Sequence, residues 1–388
     1  AVDAHHKSNE MAESDGDSIP SLIAADSGGD SFDQFIVFRD NVLANVLKAT
    51  FRGNKGFYLA SCTSAIEEFC CDQQSLTEQT SFHLEAALFC LSTVGPDVMH
   101  TISNSTSDHS LDSLSDTTPD DCLERCALAL SKKPAALTSN PLTLLQVCRF
   151  IDMYHKWFSA DKPPGVFDIA VDLILTVILL CSTDYPEAPL SIHIYDECGI
   201  GPYSRAAQVL SKLMGNDPSH FLTNKSIASL GAAWEASFTA CNRGKKWLSV
   251  EDRKEMAHGV CVVLGLLRPI PQQQTSILAF AIPSLCCIDA MAAHAGNTST
   301  EKELDVILNR LSDEISLLTT VVTAFSDPPT FVCQRAWPTL NQIALKYCNH
   351  PVCGYWCGVK FGLSFIAELI WFSFCIFTES FLVHVIFS

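Results

Sequence analysis

The chain has 388 residues, with 25 Lys+Arg against 43 Asp+Glu and a formal net charge of −18. Hydrophobic residues are 48% and charged residues 18%, enough apolar material for a large core, which excludes wholesale disorder; 18 Gly and 18 Pro exclude collagen-like and low-complexity classes. The acidic balance argues against broad binding to nucleic acid or anionic membrane surfaces and favours a basic partner.

The length fits two or three domains, or one extended repeat array. Residues 1–31 are polar and acidic, rich in Ser, Asp and Gly, and read as a disordered leader. They contain no signal peptide, and His5-His6 is their only metal hint. The chain begins at Ala1 rather than Met, which reads as a fragment. From Phe32 the hydrophobic pattern becomes helical and stays so to residue 348.

Charge is unevenly placed along this region. Residues 56–124 contain no Lys or Arg and 12 acidic residues, a formal charge of −12. The densest part is a polar loop, 104–121, with Asp108, Asp112, Asp116, Asp120 and Asp121. These five are the candidate contacts for a basic cargo, acting as an electrostatic lure; the plainer reading is a solvated insertion.

The clearest helix covers 141–158. Leu144, Val147, Cys148, Ile151, Tyr154 and Phe158 form its apolar face; Gln146, Arg149, Asp152 and Lys156 form the polar face, and Pro141 suits its first turn. In 250–267 the stripe is Met256, Val260, Leu264 and Leu267, with Ser249 as N-cap and Glu251 and Asp252 favourable to the helix dipole. In 301–325 it is Leu304, Ile307, Leu308, Leu311, Ile315 and Leu318, opened by a capping box of Thr300 and Glu303. Breakers separate the runs at 161–165, 215–218, 268–271 and 326–329, and no strand pattern with hairpin turns occurs.

The helices pair in sequence as 141–158 with 164–181, 202–214 with 224–241, 250–267 with 273–295, and 301–325 with 329–348. First helices start near 141, 202, 250 and 301, at spacings of 61, 48 and 51 residues. HEAT repeats of two helices run about 40–47 residues, so the expectation is an all-α fold, an α-solenoid of HEAT-like antiparallel helix pairs with loop insertions. An irregular helical domain is the alternative.

Cysteine is abundant, 18 in all. Cys90, Cys148, Cys181, Cys261, Cys286 and Cys287 sit inside apolar helical patterns, as buried free thiols do. The reading is a reducing compartment, in which the sequons at Asn104, Asn224 and Asn297 carry no glycan. Cys348, His350, Cys353 and Cys357 are the one metal candidate, but their spacing is not that of a common zinc site. No phosphate-binding loop, nucleophile elbow or zinc-protease motif is present, and no carboxylate stands in a context that suggests a buried, pKa-shifted acid; Glu67-Glu68 reads as an exposed helix face. The expectation is a non-enzymatic protein without a cofactor.

After residue 348 the pattern changes. From Phe361 to Ser388 only Glu368 and Glu379 are charged. The segment is long enough for a membrane span, which needs about 20 apolar residues, but two carboxylates cost about 2.5–3.5 kcal/mol each near its centre. It reads as a poor tail anchor, or, with all of 349–388, as an artefact such as a retained intron.

Several segments in one order carry a family resemblance: Glu85-Ala-Ala-Leu-Phe-Cys-Leu-Ser92, Cys148-Arg-Phe-Ile-Asp-Met-Tyr-His-Lys-Trp157, Val166 to Leu180, Tyr203-Ser-Arg-Ala-Ala-Gln-Val-Leu-Ser-Lys-Leu213, Ser249-Val-Glu-Asp-Arg-Lys-Glu-Met256 and Arg335-Ala-Trp-Pro-Thr-Leu340. Over residues 32–348 the chain resembles the transportin-SR and importin-thirteen branch of the importin-β (karyopherin-β) superfamily, central part only. The resemblance implies a nuclear transport receptor, present in cytoplasm and nucleus. It implies a superhelix that binds protein cargo and the small GTPase Ran on its concave face, and that contacts nuclear pore proteins. Cargoes of the branch include Arg/Ser-rich splicing factors; direct nucleic-acid binding is not implied. The amino-terminal repeats that form the family's main Ran site lie outside the resemblance. So does the arginine-rich helix that meets Arg/Ser cargo, since no arginine follows Arg335. The rival expectation is a HEAT scaffold that transports nothing and is tail-anchored through 361–388.

Overall fold

The computed structural model describes residues 34–35, 37–71, 78–105, 118–132, 141–159, 165–180, 201–242, 248–325 and 329–347. The leader, most of the acidic loop, Cys181 and everything from Cys348 onward lie outside them. The described residues form fourteen α-helices and no strand. In chain order these are α1 (Ala44–Gly53, continuing a π-helical turn at Arg39–Leu43), α2 (Lys55–Cys71), α3 (Glu78–Thr93), α4 (Gly95–Ser105), α5 (Pro119–Lys132), α6 (Pro141–Met153) and α7 (His155–Phe158). Then come α8 (Val166–Leu180), α9 (Pro202–Asn216), α10 (Asn224–Asn242), α11 (Val250–Leu266), α12 (Ile270–Asn297), α13 (Glu301–Thr323) and α14 (Thr330–Tyr347). The fold is all-α, as the periodicity requires.

Packing sorts most of the helices into two rows of neighbours. In one row α2 touches α5, α5 touches α8, and α10, α12 and α14 follow in turn; in the other α3, α6, α9, α11 and α13 pack in succession. The chain alternates between rows, and one buried apolar cluster runs from Phe51 to Tyr347 through both. The pairing differs in part from the sequence expectation. Across the rows α9 packs chiefly on α8 and α13 chiefly on α12, not on the helices that follow them. Short connections suggested the wrong partner because α8 is apolar almost all round (Val166, Phe167, Ala170, Val171, Leu173, Ile174, Leu175, Val177 and Ile178 are buried) and so serves neighbours on several sides.

The expected stripes are in the core. Leu144, Val147, Cys148, Ile151, Tyr154 and Phe158 are buried, as are Met256, Val260, Leu264 and Leu267, and Ile307, Leu308, Leu311, Ile315 and Leu318; Leu304, at the head of the third stripe, is only half-buried against the core. Pro141 opens α6. Ser249 caps α11 reciprocally: its hydroxyl accepts from the Asp252 amide at 3.1 Å and Asp252 accepts from the Ser249 amide at 3.0 Å. At α13 the capping box is incomplete, since the Thr300 hydroxyl donates to the Glu303 carboxylate at 3.3 Å and caps no amide. Gln146 departs from its expected polar face: it is fully buried beside Glu85, because α6 presses this side onto α3. Cys286 is exposed, not buried. It sits next to Pro283, whose ring denies the Ala279 carbonyl its helical partner. The Phe280 carbonyl beside it accepts from the Trp234 indole at 2.8 Å, which fastens α12 to α10. Gly165 opens α8 at φ +98°, a conformation that a Cβ disfavours.

Candidate functional site

The acidic loop joins α4 to α5, and the structure shows how its far end is fixed. Thr118 caps α5: its hydroxyl accepts from the Asp121 amide at 3.1 Å, and the Asp121 carboxylate accepts from the Thr118 amide at 3.1 Å. Asp120, one residue earlier, accepts from the Trp157 indole of α7 at 2.8 Å. Both carboxylates sit in the first turn of α5, where the helix dipole favours negative charge. Two of the five candidate cargo contacts therefore anchor the loop, Asp121 exposed and Asp120 half-buried. Asp108, Asp112 and Asp116 lie outside the described residues. On α2, Glu67 is not a free surface acid: Arg125 of α5 grips both its oxygens, at 2.8 and 2.5 Å, and this hydrogen bonding holds its carboxyl below the usual range. Glu68 remains exposed.

A series of charged contacts joins successive helices of the second row. Before α1, Arg39 donates to Glu85 of α3 at 2.6 Å and lies over the Phe89 ring at 4.3 Å. Arg149 of α6 faces Asp40 at 3.6 Å. Asp152 of the same helix takes Arg205 and Lys212 of α9, at 3.4 and 2.5 Å. Ser204 of α9 donates to Asp252, so the residue that caps α11 also binds the previous helix. Arg253 of α11 donates to Glu314 of α13 at 2.7 Å, with both side chains only 5% exposed. The Ser284 hydroxyl of α12 reaches the same carboxylate at 3.4 Å.

This corrects the expectation that no carboxylate is buried and perturbed. Glu85 and Glu314 are both buried. Burial pushes the Glu85 carboxyl up against the opposing pull of Arg39. No motif announces these pairs, because the partners are 46 and 61 residues apart. A signal was present nonetheless: each acid interrupts an otherwise apolar helix face, and a lone charge there requires a partner from elsewhere.

Cys62, Cys70, Cys90, Cys122, Cys126, Cys148, Cys261, Cys286, Cys287 and Cys333 are free thiols. Burial raises Cys126 and Cys261 to about 12, which keeps both thiols protonated near neutral pH. Cys348, His350, Cys353 and Cys357 lie outside the described residues, as do His5 and His6. Among the described residues no three His, Cys, Asp or Glu side chains are placed to hold a metal ion. A cavity of about 540 Å³ opens between α10, α12 and α13, lined by Glu235, Cys286, Cys287, Met291, His294 and Arg310 among others. No protein-family model, curated protein or solved structure matches the chain.

Proposed function

We propose that the chain is a nuclear transport receptor whose helices form an α-solenoid of HEAT-like antiparallel pairs and whose acidic surface binds a basic protein cargo. The observation that carries this reading is the run from residue 56 to 124, which bears a formal charge of −12. That charge gathers around a loop whose far end is pinned to α5 and α7. Concentrated like charge raises the encounter rate with an oppositely charged partner and loses that effect as salt rises. Two rows of helices, each touching its neighbours in turn, offer the long surfaces along which a repeat protein spreads such contacts. Cargo of Arg/Ser-rich type, Ran and nuclear pore proteins are the partners, and the protein moves between cytoplasm and nucleus. The resemblance over residues 32–348 supplies these partners, and the acidity fits the cargo.

The test is a titration of the whole chain with a fluorescent Arg/Ser-rich peptide at several salt concentrations, beside an acidic peptide of equal length. The reading requires binding of the basic peptide that weakens steeply with salt. Equal binding of both peptides, or none at low salt, refutes it. A second reading, a scaffold tethered through the apolar 361–388 segment, predicts that the protein pellets with membranes and resists extraction by high salt.

A further inference from the structure

We propose that two copies of the chain pair through the outer face of α1 and the π-helical turn before it. This helix stands at the head of the helical array. Ala44 and Phe51 are buried, Leu47 is partly buried, and through this face α1 packs on α2 and α3. Its other face is bare. Phe35, Phe38, Val42 and Val46 follow one another at helical spacing, with Val37 beside them, and these five are 38–60% exposed. Phe57, at the start of α2, is 72% exposed.

The polar residues of this face suit burial against a partner. From Phe35 to Thr50 no described charged side chain is exposed: Arg39 is buried, and Asp40 and Lys48 are half-buried. The exposed polar side chains turn a donor onto their own helix. Asn41 donates to the Val37 carbonyl at 3.0 Å, Asn45 to the Asn41 carbonyl at 2.6 Å, and the Thr50 hydroxyl to the Val46 carbonyl at 2.9 Å. A polar group that already has a partner costs less to take out of water. The same depletion of charge marks the core of an interface between proteins.

An uncharged, apolar helix face is matched by an identical face. Monomers rarely expose a contiguous apolar patch of more than a few hundred Å², whereas a standard interface takes about 800 Å² from each partner. A Phe side chain buries about 150–250 Å². The three Phe and three Val of this end therefore supply several hundred Å², and Asn41, Asn45, Ala49 and Thr50 bring the face to the scale a stable dimer needs. Charge points the same way. Residues 34–55 hold four basic and two acidic residues in a chain of net charge −18, so two copies meet here with less repulsion than the rest of the chain would impose. The far end of the array matches itself less well: around the exposed Trp337 and Leu345 of α14 stand Arg335, Asn341 and Lys346, also exposed. Pairing α1 with α1 closes a two-fold dimer and leaves that end free.

The experiment measures the mass of the whole chain in solution by sedimentation velocity and light scattering, at low and at high salt. The expected mass is twice the 42.4 kDa of one chain, and it persists at high salt because the contact is apolar. Val42→Asp and Val46→Asp each set a carboxylate against its own copy and should weaken pairing by at least about tenfold. Leu345→Asp, at the far end, should leave the dimer intact. All three positions are exposed, and circular dichroism establishes that each variant is as helical as wild type. A photo-crosslinking amino acid at position 45 should join two chains. A single-chain mass, a Val42→Asp variant that pairs as tightly as wild type, or a crosslink from position 45 to residues 1–33 or 361–388 of the same chain overturns the proposal.

Discussion

Replacing Arg253 with Met isolates the energetics of the second row. Arg253 and Glu314 bond at 2.7 Å with side chains 5% exposed, so the variant leaves a buried carboxylate with only the Ser284 hydroxyl, 3.4 Å away. Methionine keeps the apolar stem against Phe238, whose ring the guanidinium overlies at 5.1 Å, so the packing loss is small. Removing one partner of a buried ion pair costs about 3–5 kcal/mol, mostly because the surviving charge is stranded. Replacing both, Arg253→Met with Glu314→Leu, removes that charge and should recover to within about 1 kcal/mol of wild type or better. Urea unfolding of wild type, both single variants and the double variant closes the cycle, with the slope against urea checked for constancy. A single-variant cost under about 1 kcal/mol, or a double variant that sums the two singles, would refute the claim that desolvation of the stranded charge dominates here.

The two perturbed carboxylates should respond to pH in opposite directions. Glu85 has a folded-state pKa above its ordinary 4.5, so its contribution to stability is greatest below that value and declines as pH rises through the raised pKa. The stability of wild type relative to Glu85→Gln should therefore fall with rising pH, and a rise would contradict the assignment. Glu67 is held low by Arg125, so its contribution is present above 4.5 and is lost as pH falls through the lowered pKa; Glu67→Gln should therefore cost under about 1 kcal/mol at pH 7 and nothing once the pH is below the lowered pKa. Gly259→Ala tests how closely α9 and α11 approach, because a Cβ there would meet the Ser211 backbone at 3.0 Å and Met214 at 2.6 Å; a loss of about 1–3 kcal/mol is expected in thermal or urea unfolding, and an unchanged midpoint would mean the helices part easily. For the proposed cargo site, Asp108, Asp112 and Asp116 should be replaced by Asn together while Asp120 and Asp121 are kept. The association rate with a basic peptide should drop and its salt dependence flatten, whereas unchanged rates at low salt would remove the loop from the site.

What the sequence revealed here is what depends on local periodicity. The 3.6-residue stripes of α6, α11 and α13 were readable because each helix buries one face, and Ser249 was readable because a cap acts within three residues. The partners of α9 and α13 were not, because an apolar helix does not say which of its neighbours it meets. Gln146 looked like surface and is core, since a polar side chain at a stripe's edge is hidden whenever the facing helix carries charge, as α3 does at Glu85. The buried pairs Arg39–Glu85 and Arg253–Glu314 join residues far apart in sequence and became visible only once the rows were assembled. At the acidic loop the charge was legible and the division of labour was not: the Thr118–Asp121 box and the Trp157 bond to Asp120 give two of its five acids an anchoring role.

The central claim is that this acidic helical array carries basic cargo under the control of Ran. It is tested most directly by loading the whole chain with a fluorescent Arg/Ser-rich peptide and adding Ran in its GTP-bound or its GDP-bound form. The account predicts that the GTP form alone releases the peptide and restores its free anisotropy. Retention of the peptide at saturating GTP-bound Ran, or equal release by both forms, would contradict it.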